Sequence, residues 1–217
     1  AMLGKSQVVD LTHALDERAL SQPLDPPPVS PPVPPAAGQE RPRYEAVGEA
    51  DRTSTTARSS IPADLTTHLE LPVTGVKGKA TVAQIPAREF FVHAVLVDVS
   101  AKVDQIDDYQ VTADDLRAWE RRNGRISKGS VVLLHTGWAG RWGDPVRYLN
   151  LDAQGVPRVP GFSLAALNFL VSEREVRGVG LDAFLPNGTP GSRDEATRVL
   201  PRAGKWQLVN LTNLNLL

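Results

Sequence analysis

Asp64, His68 and Glu70 stand at spacings of four and two within the stretch Ala63-Asp64-Leu65-Thr66-Thr67-His68-Leu69-Glu70-Leu71-Pro72. In extended backbone, side chains alternate with a period of two, so His68 and Glu70 project to one side, and Asp64 joins them at another even offset. A wall of two carboxylates and an imidazole can hold a divalent cation or move protons. Plainer roles exist for each residue. Asp64 follows Pro62 and suits a turn, and a histidine in a strand usually hydrogen-bonds within a core. Glu70 needs a partner wherever it is buried, because an unpaired buried charge is costly.

Three further groups have chemistry to offer. Trp138, Arg141 and Trp142 make an aromatic-cationic cluster, which reads either as packing with a cation–π contact or as a wall for a flat aromatic substrate. His135 ends a β-branched apolar run beside Gly137, where backbone can approach a ligand closely. Asp182 ends another such run, a favourable position in an α/β fold. Trp138, Arg141, His135 and Asp182 are therefore the candidate substrate-binding residues. His13 reads as a structural hydrogen-bonding residue.

The elements that must position these groups are legible from periodicity and caps. Phe91 to Val99, Ser130 to His135, Val176 to Leu181 and Trp206 to Leu211 read as strands. Thr112 opens a helix with Asp115 at the capping-box position, Leu116 and Trp119 on one face and Gly124 as its stop. Ser163 caps a second helix that turns Leu164, Leu167 and Val171 inward. Asp51 to Ser60 reads as a polar loop leading to the Asp64 segment. Half of the 18 prolines fall between Pro23 and Pro42, which excludes helix and central strand there and predicts an extended surface excursion over the pocket or a partner subunit.

Composition narrows the function classes. With 24 basic and 25 acidic residues and a net charge of -1, the chain has no stripe for nucleic acid or an anionic membrane. No apolar run reaches the roughly 18 residues of a membrane span. Zero cysteines exclude disulfides and thiolate metal sites. No signal peptide is visible, and a cytoplasmic enzyme acting on a small molecule is the expectation.

The segment around His68 resembles the signature H-x-G-T-H-x-D-x-P-x-H of the cyclase / bacterial kynurenine-formamidase superfamily. Thr67, His68 and Pro72 match it, while Asp64, Thr66, Glu70 and Thr74 replace its first His, Gly, Asp and last His. Val9 to Leu15, Val131 to Trp138, Val179 to Asp182 and Leu200 to Leu214 are similar to further blocks of that family, in order. The resemblance implies an α/β fold of the swivelling β/β/α type, with a mixed sheet or barrel-like β core. It also implies a single domain over 1–217 with a Pro-rich loop insertion at about 21–45, and a homo-oligomer such as a homodimer. Thr197 and Val209 stand where hydrolytic members carry a His and a Glu, and valine can neither ligate a metal nor carry a proton.

These replacements lead to the expectation of a natural-product (polyketide-like, antibiotic-pathway) cyclase. In that reading His68 is the general acid/base, Glu70 or Asp64 orients it, and no cofactor is needed. One alternative is a formamidase-type amide or lactam hydrolase with a divalent metal at Asp64, His68 and Glu70. Another is a non-catalytic pseudoenzyme.

Overall fold

Strand Val131–His135 sends Val132 and Leu134 into one apolar layer and Val131 and Leu133 into another, and all four are buried. A strand buried on both faces belongs in the interior of a covered sheet. It does so in a computed structural model, which describes residues 7–14, 43–47, 56–60, 66–72, 78–184 and 193–217.

The described strands are β1 (Arg43–Val47), β2 (Thr56–Ser60), β3 (His68–Glu70), β4 (Ala94–Asp98), β5 (Gln110–Val111), β6 (Val131–His135), β7 (Gly161–Phe162), β8 (Gly178–Leu181) and β9 (Trp206–Val209). The main sheet has five strands in the order β3-β9-β8-β6-β4. β4, β6, β8 and β9 run parallel, and β3 is antiparallel to β9 at one edge. β1 and β2 form an antiparallel pair, and β5 and β7 a short parallel one.

The helices are α1 (Ser100–Val103), α2 (Ala113–Asn123), α3 (Pro145–Leu149), α4 (Leu164–Asn168) and α5 (Arg193–Arg202). α4 runs on into a π-helical turn at Phe169–Glu173. α2 is set by its ends. The Thr112 hydroxyl accepts from the Asp115 amide, the Asp115 carboxylate accepts from the Thr112 amide, and Gly124 closes the helix at φ 90°. The larger apolar layer joins Val132, Leu134, Val179 and Leu181 to Leu116, Leu167, Phe169 and Leu170 from the helical side. The smaller one gathers Val131, Leu133, Trp206, Leu211 and Leu214. β8 and β9 pack so closely that a side chain on Gly178 would overlap Trp206. Among the described residues no helix is long and apolar enough to cross a membrane.

The mixed α/β architecture agrees with the sequence, and several local expectations need correction. Thr56–Ser60 is a strand rather than a loop, because pairing with Arg43–Val47 gives its backbone ladder bonds that its polar composition does not signal. Val9 to Leu15, which looks like the family's opening strand, is no strand over its described part. It is linked to the chain beyond β9 by the Thr212 amide, which donates to Leu11 O, and by the Asn213 side-chain amide, which donates to Asp10 O. Phe91, expected within a buried strand, is 86% exposed and precedes β4. The Pro23 to Pro42 segment lies outside the described residues.

Candidate functional site

The site is built on Thr66, the residue that replaces the motif glycine. Thr66 adopts φ 55°, a left-handed conformation rare for a β-branched residue, and such strain persists only where neighbours enforce it. Here Asn210 does so. Asn210 is itself left-handed at φ 55° just beyond β9, and its side-chain amide donates to Thr66 O at 2.7 Å. Its Oδ1 accepts from the buried Tyr148 hydroxyl at 2.8 Å, and its backbone carbonyl accepts from Thr67 Oγ1. The turn before β3 is thereby tied to the chain beyond β9 and, through Tyr148, to α3.

This lattice fixes His68. Its Nδ1 lies 2.8 Å from Thr66 O. A carbonyl only accepts, so Nδ1 carries the proton, and a neutral ring then has its lone pair on Nε2. Nε2 faces Glu70 Oε1 at 3.5 Å, and the two side chains are 11% and 24% exposed. Glu70 is held from the opposite strand, where Gln207, its direct cross-strand partner, donates Nε2–H to Oε2. A ring nitrogen facing a carboxylate oxygen at this distance is an arrangement in which the two can share a proton or act together as donors to a metal ion.

As donors, the pair fits a divalent cation: an imidazole nitrogen and a carboxylate oxygen suit Zn2+, Mn2+ or similar ions, and an N–H given to a backbone carbonyl is the usual support of a ligating histidine. Among the described residues no cluster of three His, Asp or Glu donors forms. Asp64 lies outside them, and the even-offset reasoning that joined it to His68 does not carry across Thr66, where the extended run stops. Val209, directly opposite His68 in the β3–β9 ladder, is fully buried and adds packing alone.

The other candidate residues divide into two groups. Asp98, His135 and Asp182 come to the carboxyl ends of β4, β6 and β8, where open parallel sheets tend to bind ligands. His135 Nδ1 is 3.3 Å from Asp98 Oδ2. Asp182 is 1% exposed; its Oδ1 accepts from the Thr136 amide at 2.9 Å and hydroxyl at 2.6 Å, and its buried Oδ2 has no hydrogen-bond partner among the described residues. Burial pushes the Asp182 carboxyl up, against the opposing pull of the Thr136 bonds. Trp138 and Arg141 are placed differently. Trp138 is fully buried with its indole N–H on Tyr148 O at 2.9 Å, and Arg141 lies 3.8 Å over that ring while pairing with Asp107 at 2.6 Å. Both are committed to packing rather than turned to an open wall.

Sequence reasoning passed over Thr66, Thr67, Tyr148, Gln207 and Asn210 as site residues. One signal was available: Gln207 and Val209 share a period-two face on β9, as His68 and Glu70 do on β3.

A family model described as putative cyclase matches residues 9–186. The chain belongs to the putative cyclase family. An isatin hydrolase of Roseibium aggregatum is 29% identical over 160 residues, covering 69% of this chain and 59% of that protein, so the chain spans about three fifths of this curated relative. Isatin hydrolase A from Ralstonia solanacearum superposes with a TM-score of 0.83 at 28% identity, over 97% of this chain and 81% of that one. A predicted metal-dependent hydrolase from Bacillus stearothermophilus shares the fold, with a TM-score of 0.64 at 20% identity over 94% of this chain and 82% of that one.

Two expectations fall with these matches. The curated relative and the Ralstonia solanacearum structure are both isatin hydrolases, which overturns the reading as a polyketide-type cyclase and favours the hydrolase alternative. The expectation of a centre without a cofactor is overturned as well: it stood on the cyclase reading, and structures that share the fold are described as potential or predicted metal-dependent hydrolases. The erosion of the signature misled here, because the replaced imidazoles, with Thr197 and Val209 at the His and Glu positions, weigh against a hydrolytic metal centre and leave it only as the alternative.

Proposed function

We propose that this chain is a metal-dependent hydrolase that opens a cyclic amide of the isatin type. The observation that supports it is the fixed His68–Glu70 donor pair at the edge of a sheet that superposes on isatin hydrolase over nearly the whole chain. Among the described residues, His68 through Nε2 and Glu70 through Oε1 would hold the ion. When bound, such an ion polarises the amide carbonyl and makes a water more acidic.

The chain's own groups set the geometry. Thr66 O keeps the Nδ1 proton of His68 in place, so the ring presents its lone pair and not an N–H. Gln207 takes one oxygen of Glu70 and leaves the other directed to His68. The Tyr148–Asn210 link stiffens the turn that carries both, limiting reorganisation as charge develops. In the overall reaction water adds across the C–N bond, so the ring opens to a free amine and a carboxylate.

The test is hydrolysis of isatin by purified protein loaded with Mn2+ or Zn2+, followed by loss of the substrate's absorbance. Turnover that a chelator abolishes and added metal restores is expected. Protein that holds a full equivalent of metal yet opens neither isatin nor any other lactam tried would sink the reading.

A further inference from the structure

One histidine close to this centre is left unused by the reading above. His13 lies in the segment Asp10-Leu11-Thr12-His13, which is pinned at several points. Asp10 Oδ1 accepts from the Thr12 amide at 2.9 Å and hydroxyl at 2.7 Å, Leu11 O takes the Thr212 amide at 3.0 Å, and the His13 amide donates to Thr67 Oγ1 at 2.9 Å. Thr67 adjoins His68, so the backbone of His13 is fastened to the turn that carries the candidate metal donor.

Its ring is fixed as firmly. The imidazole stacks on Trp142 with centroids 4.0 Å apart and planes within 10°. Trp142 meets Tyr148 edge-on at 5.0 Å, and the Tyr148 hydroxyl donates to Asn210, which also holds Thr66. One lattice therefore orients both His68 and His13. Yet His13 Nε2 is buried and has no hydrogen-bond partner among the described residues, and a buried polar atom in that state calls for an explanation. Burial also lowers the His13 pKa to about 4, so at neutral pH the ring is uncharged, with one N–H and one lone pair.

We infer that His13 is a substrate-positioning residue whose imidazole edge hydrogen-bonds the amide group of the uncharged lactam. The assignment rests on the hydrolase reading and refines it. An uncharged imidazole suits an amide N–H or carbonyl and gives no ionic attraction to a carboxylate. Ring opening converts the neutral lactam to an amino-carboxylate, so a contact made by His13 assists substrate binding without retaining product.

The experiment compares His13→Phe, which keeps a flat ring against Trp142, with His13→Gln, which restores a polar group near the Nε2 position. Binding of isatin and of its ring-opened carboxylate to metal-loaded protein is measured by calorimetry, beside steady-state kinetics and thermal melting. His13→Phe is expected to weaken lactam binding about tenfold, the worth of one hydrogen bond, and to change carboxylate binding by less than about twofold. KM should rise with it, kcat should fall less, and His13→Gln should regain part of the loss.

Equal weakening of both ligands, or a lower melting temperature with lactam affinity unchanged, would overturn the assignment and mark His13 as structural. Lactam binding that depends on His13 in a protein that does not hydrolyse would refute the hydrolase reading and leave this residue's role standing. Hydrolysis with binding indifferent to His13 would do the reverse, and wild-type protein that binds no lactam would refute both.

Discussion

Two stacks on tryptophan lie near each other in the sequence and differ in how their polar atoms end. Arg141 covers Trp138, and every strong group there has a protein partner: the guanidinium has Asp107 and the indole N–H has Tyr148 O. His13 covers Trp142, and there a buried ring nitrogen has none among the described residues. Residue types alone favoured the first stack as a substrate wall and the second as structure. Tracing each donor and acceptor to its partner reverses that order, because a closed set of bonds has nothing left to offer a ligand.

Mutation can break or sharpen this contrast. The largest effect belongs to His68. His68→Ala should lower lactam hydrolysis by more than about 100-fold, beyond what the loss of an outer partner of a metal site usually causes, with the melting temperature little changed. A variant that keeps wild-type turnover would move the centre elsewhere. Gln207→Met comes next. Releasing Glu70 Oε2 should weaken metal affinity by about 10- to 100-fold, read by competition with a chelator, and unchanged affinity would deny Gln207 its orienting role. Arg141→Met is smallest. Loss of its stacking and of a partly exposed ion pair should reduce stability by about 1 kcal/mol in urea unfolding, with hydrolysis within about twofold of wild type. A drop in turnover there would return Trp138 and Arg141 to the substrate wall.

Elements with strong local signals were legible in the sequence. α2 carries its capping box and its stopping glycine within the one stretch from Thr112 to Gly124, and β6 and β8 are apolar runs that only a covered sheet could bury. His68 and Glu70 were also placed correctly on one side of a strand, since a period of two is local. The rest depends on partners distant in sequence. Nothing near Thr66 announces its left-handed backbone, which Asn210 enforces from 144 positions away. Gln207 becomes a neighbour of Glu70 only through the β3–β9 register. Phe91 has the composition of a strand, but the β4 ladder begins three residues later at Ala94. Trp138 looked available because a sequence records hydrophobicity but not whether the fold has already covered it.

β3 is three residues long and sits at the rim of the main sheet, joined to β9. Short rim strands are the segments that open first in native-state fluctuations. The donor pair therefore rides on a hinge-like margin of the sheet and not on its rigid centre. Each opening of that margin separates His68 and Glu70 from the Thr66–Asn210 lattice and dissolves the site without unfolding the protein. An ion or lactam that binds only the closed margin draws its affinity partly from holding it shut, so occupancy and local folding become a single equilibrium.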